Sequence, residues 1–177
     1  HTNFMFQIIF LIEEGCLHHL PKGGGGDICT DQAYENYEFS FEWKIAPGAN
    51  SGVKYRVIEK SVSAYGPEYQ VIDDAKLKPM QSSAALYELF PPQNKTLKPV
   101  GEFNQSKIVV NGSKIEHWLN GSKVVEVEVG SDAWKTAIAA SKFAKTPEFG
   151  SNAKGHICLQ DHGGEVWFRN MKIREVR

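Results

Sequence analysis

The sequence predicts an all-β fold, a single antiparallel two-sheet β-sandwich. Three observations carry this: apolar residues recur with period two and almost nowhere with a helical period, the alternating runs are short, and turn residues separate them. Glu38–Ile45 alternates strictly, with Phe39, Phe41, Trp43 and Ile45 on one face and Glu38, Ser40, Glu42 and Lys44 on the other. That is the pattern of a half-buried strand. Similar runs cover 53–58, 68–72, 107–110, 114–119, 123–129, 156–160 and 166–174. Asn120-Gly121 joins two of them and suits the positive φ angles of a type I′ turn, and Asn111-Gly112 marks a second hairpin just before it. A meander from Lys107 to Val129 follows. Only 131–140 has helical composition, enough for one or two turns beside Trp134. The stretch 76–99, with Pro79, Pro91, Pro92 and Pro99, reads as a long irregular connection of the kind that often carries function. With no repeat, low-complexity tail or shift in composition, residues 1–177 form one domain.

Composition narrows the partners. Twenty Lys+Arg stand against 21 Asp+Glu, a formal charge of −1, with 41% hydrophobic and 23% charged residues. This is an ordinary globular composition without the broad positive field that nucleic acid or an anionic membrane demands. The run Phe4–Ile12 is interrupted by Gln7 and ends at Glu13-Glu14, far short of the about 20 residues of a membrane-spanning helix. It also lacks the basic leader and small-residue cleavage site of a signal peptide. Because the sequence starts at His1, it reads as a processed or truncated chain, which leaves room for a removed export signal. Cys16, Cys29 and Cys158 are odd in number and form no C-x-x-C pair, so the expectation is small buried thiols rather than a disulfide framework or a structural zinc site. The tetraglycine 23–26 lacks the Lys-Ser/Thr and helix of a phosphate cradle and reads as a flexible turn. Four N-x-S/T triplets, at Asn94, Asn104, Asn111 and Asn120, arise readily by chance, and two fall in predicted hairpin turns.

Three polar clusters need an explanation. In 66–74, alternation sets Tyr69 and Val71 against Glu68 and Gln70, followed by Asp73-Asp74. A carboxylate and an amide two residues apart suit sugar hydroxyls; a solvated strand face is the plain alternative. In 155–164, Ile157 and Leu159 mark the core side, while His156, Cys158, Gln160 and His162 share the other, with Asp161 at the strand end. The His-Cys-His spacing does not by itself make a metal site, and no metal or other cofactor is expected. An Asp-His neighbour pair can orient a general base, but there is no G-x-S-x-G elbow, which disfavours acyl transfer. The third cluster, 48–52, is a polar turn with Asn50 and Ser51 that leads into a strand carrying Lys54 and Arg56 on one face. Arg56 beside Glu68 would tune that carboxyl and hold an oxygen-rich ligand. Tyr65, Trp118 and Trp167 are candidates to stack on sugar rings.

The segments 25–30 (GGDICT), 37–43 (YEFSFEW), 50–56 (NSGVKYR), 66–73 (GPEYQVID), 116–121 (EHWLNG), 155–163 (GHICLQDHG) and 168–173 (FRNMKI), in this order, resemble the 3-keto-disaccharide hydrolase family. The resemblance spans 15–176. It implies a concanavalin A-like lectin/glucanase jelly roll with a carbohydrate cleft on a concave sheet, and an exported bacterial enzyme in the periplasm or outside the cell. The family pattern has an upstream strand and Gly-Trp turn where only 1–14 stand here, so the N-terminal strand is expected to be truncated.

The implied substrate is a 3-ketoglycoside. Its ketone acidifies the C2 proton and leaves the C1–O bond β to the carbonyl, so elimination followed by hydration becomes feasible. Such a route needs a base, an acid for the leaving oxygen and a donor for the enolate oxygen. The expected assignment is Glu68 as acid/base, His162 with Asp161 as a second proton-transfer unit, and Arg56 or Lys142 on the enolate. Asn50, Ser51, Gln70 and Gln160 would hold hydroxyls, with Glu42, Asp73 and Trp118 as further substrate contacts. Two alternatives remain open at this point: a conventional glycoside hydrolase pairing Glu68 with Glu42 or Asp73, and a non-catalytic carbohydrate-binding module on the same sandwich.

Overall fold

A computed structural model describes residues 10–22, 24–58, 64–74 and 77–176; most of the Phe4–Ile12 run and Gly23 of the tetraglycine lie outside them. The strands are β1 (Phe10–Glu13), β2 (Cys16–His19), β3 (Ile28–Cys29), β4 (Tyr37–Ile45), β5 (Asn50–Val57), β6 (Glu68–Ile72), β7 (Asn104–Asn111), β8 (Lys114–Leu119), β9 (Ser122–Glu128), β10 (His156–Leu159) and β11 (Val166–Glu175). The α-helix α1 (Asp132–Ala139) begins where the Ser131 hydroxyl accepts from the Trp134 amide at 3.2 Å, an N-cap in the predicted place.

The strands form two antiparallel sheets, a seven-stranded one ordered β1-β2-β11-β4-β7-β8-β9 and a four-stranded one ordered β3-β10-β5-β6. Their facing sides make the core. The predicted apolar face of β4 is buried throughout and meets Val53 and Tyr55 of β5, Tyr69 and Val71 of β6, and Phe168 of β11. Each such side chain contributes about 1.5–3 kcal/mol by leaving water. Several polar atoms in this core are partnered: Trp43 donates to the Ser106 hydroxyl at 2.8 Å, Tyr69 bonds the same hydroxyl at 2.7 Å, and the Tyr55 hydroxyl meets His117 Nε2 at 2.8 Å.

The long connection predicted over 76–99 is ordered where it is described and lies along the free edge of β6. Ala84 N donates to Gln70 O at 2.9 Å, Gln70 N to Ala85 O at 3.2 Å, and Tyr87 N to Glu68 O at 3.0 Å. The loop thus covers the sheet edge next to Glu68, satisfying backbone groups that would otherwise be open to pairing.

Two expectations are corrected here. Cys29 and Cys158 form a disulfide, and only Cys16 is a free thiol. An odd count does not forbid one pair. The two residues, 129 apart in sequence, face each other where β3 pairs with β10, and no local spacing announces such a contact. Arg56 also does not share a face with Lys54. Along β10 the register moves from Cys158 to His156 while along β5 it moves from Lys54 to Val57, so β5 carries one extra residue, a β-bulge. Arg56 adopts φ 53° there, and Gly155 makes room, since a Cβ on it would lie 2.4 Å from the Arg56 carbonyl carbon. The guanidinium donates to Gly150 O at 2.9 Å and to Gly112 O.

Candidate active site

The outer face of the four-stranded sheet carries the polar side chains of β5, β6 and β10. Lys54 is paired in register with Glu68, and Gly52 with Gln70. The Glu68 carboxyl lies across the Gly52 backbone, where an added Cβ would come within 2.0 Å of Oε1. Glycine is required there for space rather than for its backbone freedom. Around Glu68 is a cleft of about 220 Å³, whose lining includes Asn50, Lys54, Tyr65, Tyr87, Lys142, Gln160 and His162. Its size suits one sugar ring.

Glu68 is 8% exposed. Burial pushes its carboxyl up to about 7, against the opposing pull of Lys54 and Lys142, with the Asp27 carboxylate adding a smaller upward push. A carboxyl poised there exchanges a proton readily at neutral pH. Lys54 is held by a buried ion pair, its Nζ 2.8 Å from Asp27 Oδ2. Asp27 also accepts from Ala64 N at 3.0 Å and Asp161 N at 2.9 Å. Lys142 stands over the Tyr87 ring, Nζ 4.3 Å from its centroid. Among the described residues the buried oxygens Asn50 Oδ1, Gln160 Oε1 and Gln70 Oε1 have no hydrogen-bond partner. Buried polar atoms of that kind are normally satisfied, and the first two line this cleft.

The structure therefore gathers Glu68, Asn50, Lys142, Gln160 and His162 in one place, with Gln70 beside them on β6. It does not gather the others. Asp161 does not orient His162: its carboxylate bonds His19 Nε2 at 2.9 Å and accepts from the amides of Gly24, Gly26 and Gly163. Burial raises its proton affinity, but these donors outweigh burial and hold the carboxyl below its usual range. His162 is exposed at the rim. The Ser51 side chain is fully buried, its hydroxyl bonded to Gln160 O at 2.9 Å. Asp73 fixes the turn before β5 by accepting from Gly48 N at 2.8 Å.

Glu42 and Trp118 lie on the outer face of the other sheet. They line a separate groove of about 520 Å³ with Lys107 and Lys172. Arg169 donates to Glu42 at 2.7 Å, which holds that carboxyl below its usual range, and Lys107 Nζ sits 4.5 Å from the Trp118 ring centroid. Alternation shows that such residues face outward but not on which sheet. The sequence reading also gave no role to Lys54, Asp27, Tyr87 or Gly52. The Gly after Asn50-Ser51 was visible, but its use emerges only from the register that lays Glu68 over it.

Among the described residues no group of three or more His, Cys, Asp or Glu is placed to hold a metal ion, and Cys158 is committed to its disulfide. Among the described residues no helix is long and apolar enough to cross a membrane.

A two-sheet sandwich with a single-ring cleft, a buried carboxyl and unpartnered amide oxygens is the build of a carbohydrate-active protein. The profile of the 3-keto-alpha-glucoside-1,2-lyase-like domain matches residues 2–174. A protein of Bacteroides thetaiotaomicron named 3-keto-disaccharide hydrolase is 34% identical over 199 residues, which cover 92% of this chain and 69% of that protein. A crystal structure from Parabacteroides distasonis, provisionally named a glycosyl hydrolase, superposes with TM-score 0.88 at 32% identity, covering 96% of this chain and 84% of that one. The carbohydrate-binding module CBM66 of Bacillus subtilis superposes with TM-score 0.58 at 11% identity over 94% of this chain and 91% of that one, a likeness of fold alone. The chain belongs to the 3-keto-alpha-glucoside-1,2-lyase-like family and is a glycosyl hydrolase-like enzyme.

Proposed function

We propose that the cleft around Glu68 cleaves the glycosidic bond of 3-keto-glycosides, 3-keto-disaccharides among them, by elimination and hydration. The observation that carries this is one buried carboxyl held near neutrality between two lysines, with the cleft's amide oxygens unpartnered. In the first step Glu68 takes the C2 proton, the electron pair forms the enolate of the C3 ketone, and the C1–O bond breaks as the leaving oxygen gains a proton. The products are an enone and the free alcohol. Water then adds at C1 and C2 regains a proton, giving the free 3-keto-sugar. Lys54 and Lys142 supply positive charge where the enolate develops. Glu68, having taken the C2 proton, returns it to the leaving oxygen; His162 at the rim moves the proton of the added water, and Asn50 and Gln160 hold hydroxyls. The ketone supplies the electron sink, so the route is written without a cofactor.

The conventional two-carboxylate reading has less support. Glu42 is on the other sheet, Asp73 is engaged with the Gly48 turn, and Asp27 is committed to Lys54. The Cys29–Cys158 bond favours an oxidising compartment and with it the exported location.

The test is product formation from trehalose and from 3-keto-trehalose by the wild type and Glu68→Gln. Cleavage of the keto sugar alone, lost in the variant, is expected. Cleavage of neither with binding retained would make this a binding module, and turnover surviving Glu68→Gln would remove Glu68 from the chemistry.

A further inference from the structure

The Glu68 cleft has room for one ring, yet a glycoside has a second part. Across Tyr65 and Gly66, which line both spaces, lies a pocket of about 310 Å³. We propose that this pocket receives the leaving group, and that it is built for an apolar, ring-shaped aglycone rather than for a second sugar; the inference rests on the reading of the Glu68 cleft given above.

Its walls are the argument. Ile58, Tyr65 and Phe149 line it, and Ile58 and Tyr65 are 66% and 56% exposed. Two large apolar side chains held in water beside a catalytic carboxyl mark a place where ligand surface is to be buried. Tyr65 packs edge-on against Phe143 and Phe149, with ring centroids 6.1 and 5.1 Å away, and those two rings stack on each other at 3.9 Å. Phe143 faces the Glu68 cleft and Phe149 the second pocket. Tyr65 is thus a ridge seated on an aromatic pair, and a glycosidic bond crossing it has its sugar on the Glu68 side.

Of the pocket's polar groups, which also include Thr146, Glu148 and the unpartnered Arg56 Nε, two are already engaged. The Asn152 amide donates to Arg56 O and Lys154 O, and the Gly150 carbonyl accepts from Arg56. The Arg56 guanidinium also lines the pocket, with no carboxylate ion-paired to it among the described residues. A guanidinium favours the electron-rich face of an aromatic ring.

The experiment compares benzyl and methyl 3-keto-glucosides, whose alcohols are similar leaving groups, in the wild type and Ile58→Ser. Ile58 is exposed, so its replacement leaves the core intact. The wild type is expected to prefer the benzyl substrate by roughly 10- to 100-fold in kcat/KM, the range that burial of one apolar side chain spans. In Ile58→Ser the preference drops severalfold while the methyl substrate is processed as before. Equal rates on both substrates, or an equal loss on both in the variant, would overturn the proposal. Should the wild type cleave neither, the Glu68 reading fails, and calorimetry with unoxidised benzyl and methyl glucosides decides the pocket separately. Tighter benzyl binding that Ile58→Ser abolishes supports it, and equal binding overturns it.

Discussion

Replacing Glu68 with Gln removes a charge that the fold keeps out of water, so its effect on stability is as informative as its effect on rate. Burial takes this carboxyl from an ordinary 4.5 to about 7 even though Lys54 and Lys142 pull the other way. At about 1.4 kcal/mol per tenfold change in proton affinity, that interval corresponds to about 3 kcal/mol of folding free energy. Between pH 4.5 and 7 the folded chain keeps a proton that the unfolded chain has released. Stability from this group is therefore fully present below pH 4.5, falls as pH rises through the window, and stays low above it. Gln has the same shape and no charge to lose. Relative to wild type, Glu68→Gln should gain about 3 kcal/mol between pH 4 and pH 8. His117 acts in the opposite sense: burial holds its ring down at about 4, so its contribution is lost as pH falls from 6.5 towards 4. The two slopes oppose each other in the wild type, and the variant should show the His117 slope alone. Urea midpoints at half-unit pH intervals read this directly, beside an expected loss of turnover of roughly 10²- to 10⁴-fold. A stability difference independent of pH would refute the reasoning, because Glu68 would then be ionised and solvated at neutral pH.

Other perturbations bear on the same site. Gly52→Ala places a methyl group 2.0 Å from Glu68 Oε1, and steady-state kinetics should show at least a tenfold fall in kcat with the circular dichroism spectrum unchanged. Asp27→Asn leaves the Lys54 ammonium buried without its counter-charge, and urea titration should register a loss of about 3–5 kcal/mol. Converting Cys29 and Cys158 together to Ser should cost about 2–5 kcal/mol, and a reductant should lower the wild-type melting temperature while leaving that variant unaffected. Trp118→Ala acts on the far sheet, so keto-sugar kcat/KM should stay within about twofold of wild type.

Alternation made the architecture legible. The runs that became β4, β7 and β8 each bury one face, and a period of two survives in any such strand. Strands β1, β2 and β3 were missed because they are only two to four residues long, too short to display a period. Within the site, Glu68 and Gln160 could be picked out because each interrupts an apolar run with a group that chemistry can use. Arg56 was misread because a bulge inserts one residue and reverses every later face. Glu42 and Trp118 were misgrouped for a different reason: the pattern along a strand is blind to which sheet the strand joins. Asp27 has no periodic signature, since it lies in a turn region and gains meaning only when β10 and Lys54 arrive beside it.

The order of strands in the larger sheet also governs when the enzyme can exist. β11, the latest strand in sequence, lies between β2 and β4 rather than at an edge, and β10, next latest, completes the wall of the Glu68 cleft and brings the sulfur that locks Cys29. A ribosome that has reached residue 150 has made Asp27, Lys54, Glu68 and Lys142 but not the strand that joins β3 to β5 and donates the Asp161 amide to Asp27. Pairings across so much chain are slow to form. Until they form, the edges of β2, β4, β3 and β5 stand open to neighbours. Such a chain is best folded after synthesis is finished.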